Sequence, residues 1–309
     1  MPIETMKAGD NPRHVKALVY GPSGIGKTRL IQTLDQAGYK PLVVDINKGL
    51  EALEGYVAAG HEIDRIRVEP RTETGQDSTG AAVVKDLTSW EVMQAEFRDH
   101  IAGPVRRGEF KYDVIVIDDL TELAKHAIDF VMKSSKSEYP GIGEYGRVSE
   151  HLRQFVQYLR DMPVHVYMIA LPKTDEDDDG NRSVYPSVQG KLSTEISGYF
   201  NVVSFMHIRR VQDTPDSEPY QQRYLLTGMD AVPAIGIVQA KDRFAVLDHT
   251  EPADMGAIFN KILGVKTAMA AVVVETEKVP RSKPRIRKAK VNPASQEPSY
   301  SDLPATPQV

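Results

Sequence analysis

Apolar residues in this chain are concentrated in short runs that contain few polar residues. The runs cover residues 15–20, 41–45, 112–119 and 164–170. Runs of this length predict strands that are buried on both faces of a parallel sheet. Segments with helical periodicity lie between them, at residues 27–36, 122–132 and 148–160. This alternation predicts an α/β fold with a mostly parallel central sheet flanked by helices.

Four shorter segments extend this pattern. Residues 50–59 and 252–263 predict short helices, and residues 65–68 predict a further strand. A capping box that begins at Thr88 predicts a helix that continues to about residue 101.

The polar segments are predicted to be loops or turns. Residues 69–85 predict a loop or an irregular hairpin, and residues 172–190 predict a second long loop. Residues 202–210 and 222–226 are predicted to pair as strands through a turn at residues 214–217.

Composition adds limits to this fold. The chain has 309 residues, no cysteine and a net charge of −5, so disulfides and cysteine-ligated zinc sites are excluded. The N-terminus has no apolar signal region, and no apolar run approaches the roughly 20 residues that span a bilayer. A cytoplasmic protein without a membrane partner is expected.

The predicted domains are an N-terminal arm (residues 1–14), a core (15–265), and a linker with a flexible tail (266–309). Residues 276–309 are rich in Pro, Ser, Lys and Arg and show no periodicity, which predicts disorder.

A glycine-rich turn follows the first predicted strand and matches G-x-x-x-x-G-K-[ST]. Its residues are Gly21, Pro22, Ser23, Gly24, Ile25, Gly26, Lys27 and Thr28. The glycines allow successive backbone N–H groups to point at phosphate oxygens. Lys27 can neutralise the outer phosphates, and the Thr28 hydroxyl is a ligand for Mg²⁺. Because a strand precedes the turn and a helix follows it, the motif predicts a P-loop that binds ATP and Mg²⁺.

Asp118 ends the strongest predicted strand, after four apolar residues. At this place it can hold a water ligand of Mg²⁺, as the Walker B aspartate does. The alternative is that Asp118 only caps the next helix. The P-loop upstream favours the metal role.

Three classes of P-loop protein are disfavoured. A partition ATPase would carry a second lysine early in the loop, where Pro22 and Ser23 stand. An AAA+ ATPase needs a helical lid after its core, and only the helix over residues 252–263 remains. A small-molecule kinase needs an arginine-rich lid, whereas residues 172–190 are acidic.

The order of these parts resembles the RecA-like P-loop NTPase core. The P-loop is followed by a strand ending in Asp45, then by the strand ending in Asp118. Within that class the chain resembles the phage ATPases of the Sak-four type. The shared segments are Val43-Val44-Asp45 with Gly49-Leu50, residues 112–118, residues 186–191, and Lys241-Asp242-Arg243 with Glu251 and Asp254.

The resemblance implies an ATP- and Mg²⁺-dependent protein that acts on single-stranded DNA in phage recombination, annealing or replication, in the cytoplasm of a host bacterium. It also implies a homo-oligomer, as a ring or filament, and a single-strand-binding protein is a candidate partner. Lys241 and Arg243 resemble the element that reaches the γ-phosphate of a neighbouring subunit in RecA-like hexameric helicases. An exposed basic turn is the alternative for these two residues.

The chain departs from the RecA-like pattern at Asn47. RecA-like enzymes usually place a glutamate there to orient the attacking water, and an amide cannot accept a proton. Asp119 is the substitute base that we predict, and its alternative role is that of a helix N-cap. Asn47 therefore keeps open the alternative of a nucleotide-gated scaffold with weak hydrolysis, and the Lys241-Asp242-Arg243 element permits a helicase or loader-like motor.

The resemblance places DNA contacts in two loops. The first, residues 133–146, offers Lys133, Lys136, Tyr139 and Tyr145; the second, residues 172–191, offers Lys173, Arg182, Tyr185 and Lys191. Lysine neutralises phosphate and tyrosine stacks on bases. The acidic run at residues 175–179 opposes this, and the basic residues between Arg281 and Lys290 either add DNA affinity or only keep the chain soluble.

Overall fold

The computed structural model describes residues 13–76, 79–135, 138–212, 214, 217–232 and 235–265. Most of the predicted N-terminal arm and the whole predicted tail lie outside these residues, as do Lys136 and part of the predicted turn at residues 214–217. The three domain boundaries stay predictions.

The described residues form fifteen strands and eight α-helices. The strands are β1 (Lys16–Tyr20), β2 (Pro41–Asp45), β3 (Asp64–Arg67), β4 (Arg71–Gln76), β5 (Ala82–Leu87), β6 (Val114–Asp118), β7 (His165–Ala170), β8 (Pro172–Glu176), β9 (Arg182–Pro186), β10 (Val202–Val211), β11 (Tyr220–Leu226), β12 (Asp230–Val232), β13 (Gly236–Val238), β14 (Lys241–Asp242) and β15 (Thr250–Pro252). The helices are α1 (Leu30–Gln36), α2 (Glu54–Ala58), α3 (Ser89–Phe97), α4 (Gly103–Arg107), α5 (Leu120–Lys133), α6 (Ile142–Asp161), α7 (Leu192–Glu195) and α8 (Met255–Leu263).

The main sheet has the strand order β15-β11-β10-β1-β7-β6-β2-β3, and the short strand β14 also pairs with β10. Strands β10 to β3 in this order are parallel, whereas β11, β14 and β15 pair antiparallel. The predicted mostly parallel sheet flanked by helices is therefore confirmed. Because parallel strands end at one edge, the residues that follow β1, β2 and β6 meet there, where open α/β sheets bind ligands.

Both faces of this sheet are buried, as the continuous apolar runs predict. Leu18 and Tyr20 of β1 face a core that includes Trp90. Ala17 and Val19 face a second core that includes Leu34 and Phe259. No helix in the described ranges is both long and apolar enough to cross a membrane.

The starts of α1 and α6 differ from the sequence prediction for identifiable reasons. α1 begins at Leu30 rather than Lys27. The turn before it has hydrogen bonds between residues three apart, from Leu30 N to Lys27 O and from Ile31 N to Thr28 O, instead of the four-residue spacing of an α-helix. α6 begins at Ile142 rather than residue 148. Its glycines have low helix propensity, but the Glu144 carboxylate accepts the N–H of Gly141 and caps the helix.

The two polar segments are hairpins. β4 pairs with β5, which confirms the hairpin alternative for residues 69–85, and β8 pairs with β9 where a loop was predicted. The acidic run ends β8 and begins the second hairpin's turn, where the Asp177 carboxylate accepts the backbone N–H groups of Asp179 and Asn181. Side-chain bonds of this kind stabilise turns.

A buried lysine joins β1 to the end of α6. The Lys16 ammonium donates to the carbonyls of Leu159, Met162 and Val164 at 3.0, 2.7 and 2.5 Å. The carbonyls that end a helix have no partner within the helix, so Lys16 caps α6 from the central strand.

Candidate nucleotide-binding site

The P-loop lies at the carboxyl end of β1 and holds its own lysine. Lys27 is buried, and its ammonium donates to the carbonyls of Gly21 and Pro22 at 2.7 and 2.9 Å. Burial lowers the pKa of Lys27, against the opposing charges of Asp119 and Asp118. The cation is therefore placed inside the loop, beside two carboxylates.

Thr28 and Asp118, the two predicted metal ligands, are in direct contact. The Thr28 hydroxyl donates to Oδ2 of Asp118 at 2.8 Å. Asp118 is fully buried, and its Oδ1 has no hydrogen-bond partner among the described residues. Burial raises the pKa of Asp118 to about 6, and the nearby Asp119 and Asp45 add to this, whereas the bond from Thr28 lowers the pKa.

These residues fit a Mg²⁺ ion that is also bound by nucleotide phosphates. A buried carboxylate oxygen without a partner and an adjacent hydroxyl are hard oxygen ligands, which Mg²⁺ prefers. Within the described ranges, no group of three or more His, Cys, Asp or Glu side chains could hold a metal alone. Thr28 and Asp118 would therefore hold the ion with phosphate oxygens, and the ion would neutralise charge on the transferred phosphoryl group.

Asp119 caps α5 and contacts Asn47. Its Oδ1 accepts the N–H of Glu122 at 2.7 Å, and its Oδ2 accepts the side-chain amide of Asn47 at 3.1 Å. The carbonyl oxygen of Asn47 accepts the N–H of Gly49 at 2.7 Å. The predicted cap role is therefore present, and the residue replacing the usual glutamate touches the predicted substitute base. The catalytic role of Asp119 stays a prediction.

Asp45 ends the strand next to β6, in register with Asp118. It is buried, and its Oδ2 lies 3.5 Å from the guanidinium of Arg65. Burial raises the pKa of Asp45, and Arg65 and Arg67 act in the opposite direction.

Two contacts to the P-loop have no signal in the sequence. Arg223 of β11 donates from Nε to the carbonyl of Ile25 at 2.8 Å, and Tyr167 of β7 donates from its hydroxyl to the carbonyl of Lys27 at 2.9 Å. Arg223 stands in a polar strand and Tyr167 in an apolar run, and neither pattern indicates a partner 198 or 140 residues away.

Lys241 and Arg243 are not brought to the P-loop of the same chain. Lys241 pairs with Val203 of β10, and Val203 pairs with Leu18 in the middle of β1. Because β14 is antiparallel to β10, the chain after Lys241 runs away from the sheet edge that carries the P-loop. Arg243 donates to the carbonyl of Gly198 at 2.7 Å. Burial lowers the pKa of Lys241 to about 8, with a further contribution from Arg243. A role across a subunit interface stays a prediction.

Asp242, between these two residues, has a structural role. Its carboxylate accepts the backbone N–H groups of Phe244, Val246 and Leu247. The middle residue of the Lys-x-Arg element therefore stabilises the turn that follows it.

In the first predicted DNA-contact loop, the tyrosines are accessible and the lysine is paired. Tyr139 and Tyr145 are 75% and 37% exposed. Lys133 instead donates to the Glu91 carboxylate at 3.1 Å and to the carbonyl of Asp86.

In the second loop, one predicted contact is excluded by burial. Tyr185 is only 6% exposed, so it cannot stack on a base in this conformation. Arg182 pairs with Glu176 at 2.8 Å, and Lys173 lies 3.4 Å from Asp175. Lys191 is exposed.

Comparison with known proteins gives one family. The model of the AAA domain family matches residues 13–244, a range that includes the P-loop and Asp118. No curated protein matches the chain. The match indicates a nucleotide-binding P-loop domain and an ATPase. It corrects the argument against an AAA protein, because the matched range ends before α8 and so does not depend on a helical lid.

Proposed function

Because the matched range exceeds half of the chain, the chain belongs to the AAA domain family, and we propose that it is a RecA-like, Mg²⁺-dependent ATPase that acts on single-stranded DNA as a homo-oligomer. Its place in phage recombination, annealing or replication rests on the resemblance of the ordered motifs, from Val43-Val44-Asp45 to Lys241-Asp242-Arg243.

The bond from Thr28 to Asp118 carries the ATPase part of this proposal. It joins the end of the P-loop to the end of β6, 90 residues apart in sequence, and Oδ1 of Asp118 has no hydrogen-bond partner in the part of the chain that the structure describes. In the proposed reaction, water attacks the γ-phosphorus, the bond from that phosphorus to the bridging oxygen breaks, and Asp119 accepts the proton of the water. ADP and phosphate leave.

Exposed aromatic and apolar residues support the DNA part. Tyr139, Tyr145 and Ile142, the last 94% exposed, lie together where α6 begins. Tyrosines at the surface offer stacking platforms that tolerate any base sequence. The two arginine and lysine pairs in the β8–β9 hairpin weigh against a main DNA contact there, so we assign the stacking role to the start of α6.

Asn47 supports a second candidate, a nucleotide-gated scaffold that hydrolyses ATP poorly and recruits replication partners. An amide stands where a base would be expected, and it donates to Asp119. If this bond persists with nucleotide bound, the Asp119 carboxylate is partly occupied and hydrolysis is slow.

The test is the ATPase rate with and without single-stranded DNA, for the wild type, Lys27→Ala and Tyr139→Ala/Tyr145→Ala. We expect DNA to raise the rate of the wild type, Lys27→Ala to have no turnover, and the double variant to keep the basal rate but lose stimulation. Lys125→Ala, which changes an exposed lysine on α5, is the matched control. Tight ATP binding without turnover in either condition would support the scaffold instead.

A further inference from the structure

A cavity of about 540 Å³ lies beside the P-loop, on the side away from Asp118. Its walls are the outer part of the loop (Pro22 to Ile25), the part of β10 that extends past the loop, and β12 with Ile235. Since the strand order is β10-β1-β7-β6, the cavity and the Thr28–Asp118 contact lie on opposite sides of β1. The volume is within the usual range for small-molecule sites, roughly 300–1,000 Å³.

One buried polar group in this cavity has no partner. His207 is 6% exposed and lines the cavity, and its Nε2 makes no hydrogen bond within the described ranges. Buried polar atoms are nearly always paired, so an unpaired imidazole nitrogen in a cavity wall indicates that a ligand supplies the partner. Burial lowers the pKa of His207, with Arg209 adding to this, which favours a neutral ring that bonds a neutral group.

Most of the other side chains that line the cavity are apolar. Phe205 stacks with His207 at 6.5 Å between ring centroids, and Val232 and Ile235 lie among the other lining residues. Charged groups at the cavity are already engaged: Asp230 pairs with His249 at 3.2 Å, and Arg209 lies over the Tyr224 ring. A planar heterocycle with a polar edge fits these walls better than a charged ligand does.

We propose that this cavity binds the base of the nucleotide held by the P-loop, with His207 hydrogen-bonded to an edge of the base. The inference rests on the proposed function. The metal-bound phosphates belong with Thr28 and Asp118 on one side of β1, so the nucleoside end extends toward β10 on the other side. The loop that forms one wall of the cavity is the loop that holds the phosphates.

The experiment compares two ligands that differ only in the nucleoside, Mg-ATP and Mg-tripolyphosphate, by calorimetric titration of the full chain. His207→Ala removes the hydrogen bond, and Val232→Trp fills the cavity while keeping His207. Loss of a hydrogen bond to a buried group is worth about tenfold in affinity. We expect both variants to weaken ATP binding by about tenfold or more, and tripolyphosphate binding to stay within about twofold of the wild type. Retained tripolyphosphate binding shows that a variant is folded.

His100→Ala, which removes an exposed histidine outside the cavity, is the matched control. Equal losses for ATP and tripolyphosphate in a variant whose circular dichroism spectrum matches the wild type, or no loss for ATP, would overturn the inference. So would a variant that keeps its ATP affinity but loses affinity for an oligonucleotide, because the cavity would then bind a base of the DNA. Lys27→Ala separates the two proposals: tripolyphosphate binding that survives it contradicts the proposed ATPase site, whatever the cavity binds.

Discussion

Asp45 and Asp118 occupy equivalent places on neighbouring strands, but their surroundings differ. Each ends an apolar strand, each is buried, and the two are paired in register. Asp118 accepts a bond from Thr28 of the P-loop, whereas Asp45 lies against Arg65 of the edge strand β3. The two strand-end carboxylates are therefore distinguished by what they contact, the P-loop for Asp118 and the edge strand β3 for Asp45.

The difference shows that the motif of an apolar strand followed by Asp does not by itself define a metal ligand. One strand, β7, separates β1 from β6, which ends in Asp118. The strand that ends in Asp45, β2, lies one position further from β1. We expect only the carboxylate within reach of Thr28 to affect the reaction strongly, and the four predictions below separate the two positions.

Asp118→Asn should have the largest effect. Removing the charge weakens the hold on Mg²⁺, which is worth several kcal/mol in phosphoryl transfer, so turnover should fall by about a thousandfold. Asp45→Asn should stay within about threefold of the wild type, since its partner is Arg65. Steady-state ATPase rates at saturating Mg²⁺ measure both, and equal losses would show that the two carboxylates act together.

Asp119→Asn should lower turnover by about a hundredfold, the usual contribution of a general base. Asparagine is a good N-cap, so the variant keeps the bond to the N–H of Glu122 but loses the proton acceptor and the bond from the Asn47 amide. The measurement is turnover together with ATP affinity. Unchanged turnover with intact ATP binding would remove Asp119 as the base.

In the absence of nucleotide, Asp118→Asn should stabilise the protein at neutral pH. The folded-state pKa of about 6 exceeds the ordinary carboxyl value, so the folded state binds more protons than the unfolded state between about pH 4 and 6, and wild-type stability falls as pH rises through this window. We expect the variant to match the wild type near pH 4 and to exceed it by roughly 2 kcal/mol above pH 6.

Asp45→Asn should behave in the same direction but more weakly, because Arg65 and Arg67 offset the burial of Asp45. Chemical denaturation at several pH values distinguishes the variants. A stability gain that is the same at every pH would contradict the ionisation of these carboxylates as its cause.

Arg65→Ala should have the smallest effect on catalysis. The Arg65 side chain is 44% exposed and contacts Asp45 rather than the P-loop. Turnover should remain within about twofold of the wild type, with the ATPase rate as the measurement. A larger loss would indicate that β3 supports the site through Asp45.

Much of the fold follows from local patterns. Five-residue apolar strands such as β2 and β6 have no exposed face, which identifies the parallel sheet from composition alone, and the P-loop is set by glycines at fixed spacing. The start of α6 was predicted six residues too late because Gly143 and Gly146 disfavour helix locally, while the Glu144 cap depends on the backbone conformation. The second polar segment is predicted as a loop because β8 is largely exposed and ends in the acidic run, and only the second half of β9 is buried.

The sequence does not predict those contacts of the candidate site that join side chains from different strands of the sheet. The bond from Asn47 to Asp119 joins residues 72 positions apart in sequence, and the pairing of β2 with β6 brings them together. Tyr185 was a reasonable stacking residue until packing buried it. Lys241 and Arg243 carry the right charges, but the register of β14 on β10 decides which end of the sheet they occupy.

The contact between Lys27 and the loop carbonyls has a thermodynamic consequence. A phosphate that reaches this loop replaces the carbonyls of Gly21 and Pro22 as the hydrogen-bond acceptor of the Lys27 ammonium. The Lys27 side chain is already ordered when the phosphate binds. Fixing the lysine costs conformational entropy, up to about 2 kcal/mol for a side chain of this kind. This cost arises when the protein folds. The nucleotide then meets a preorganised cation, and its affinity is not reduced by that entropy at the moment of binding.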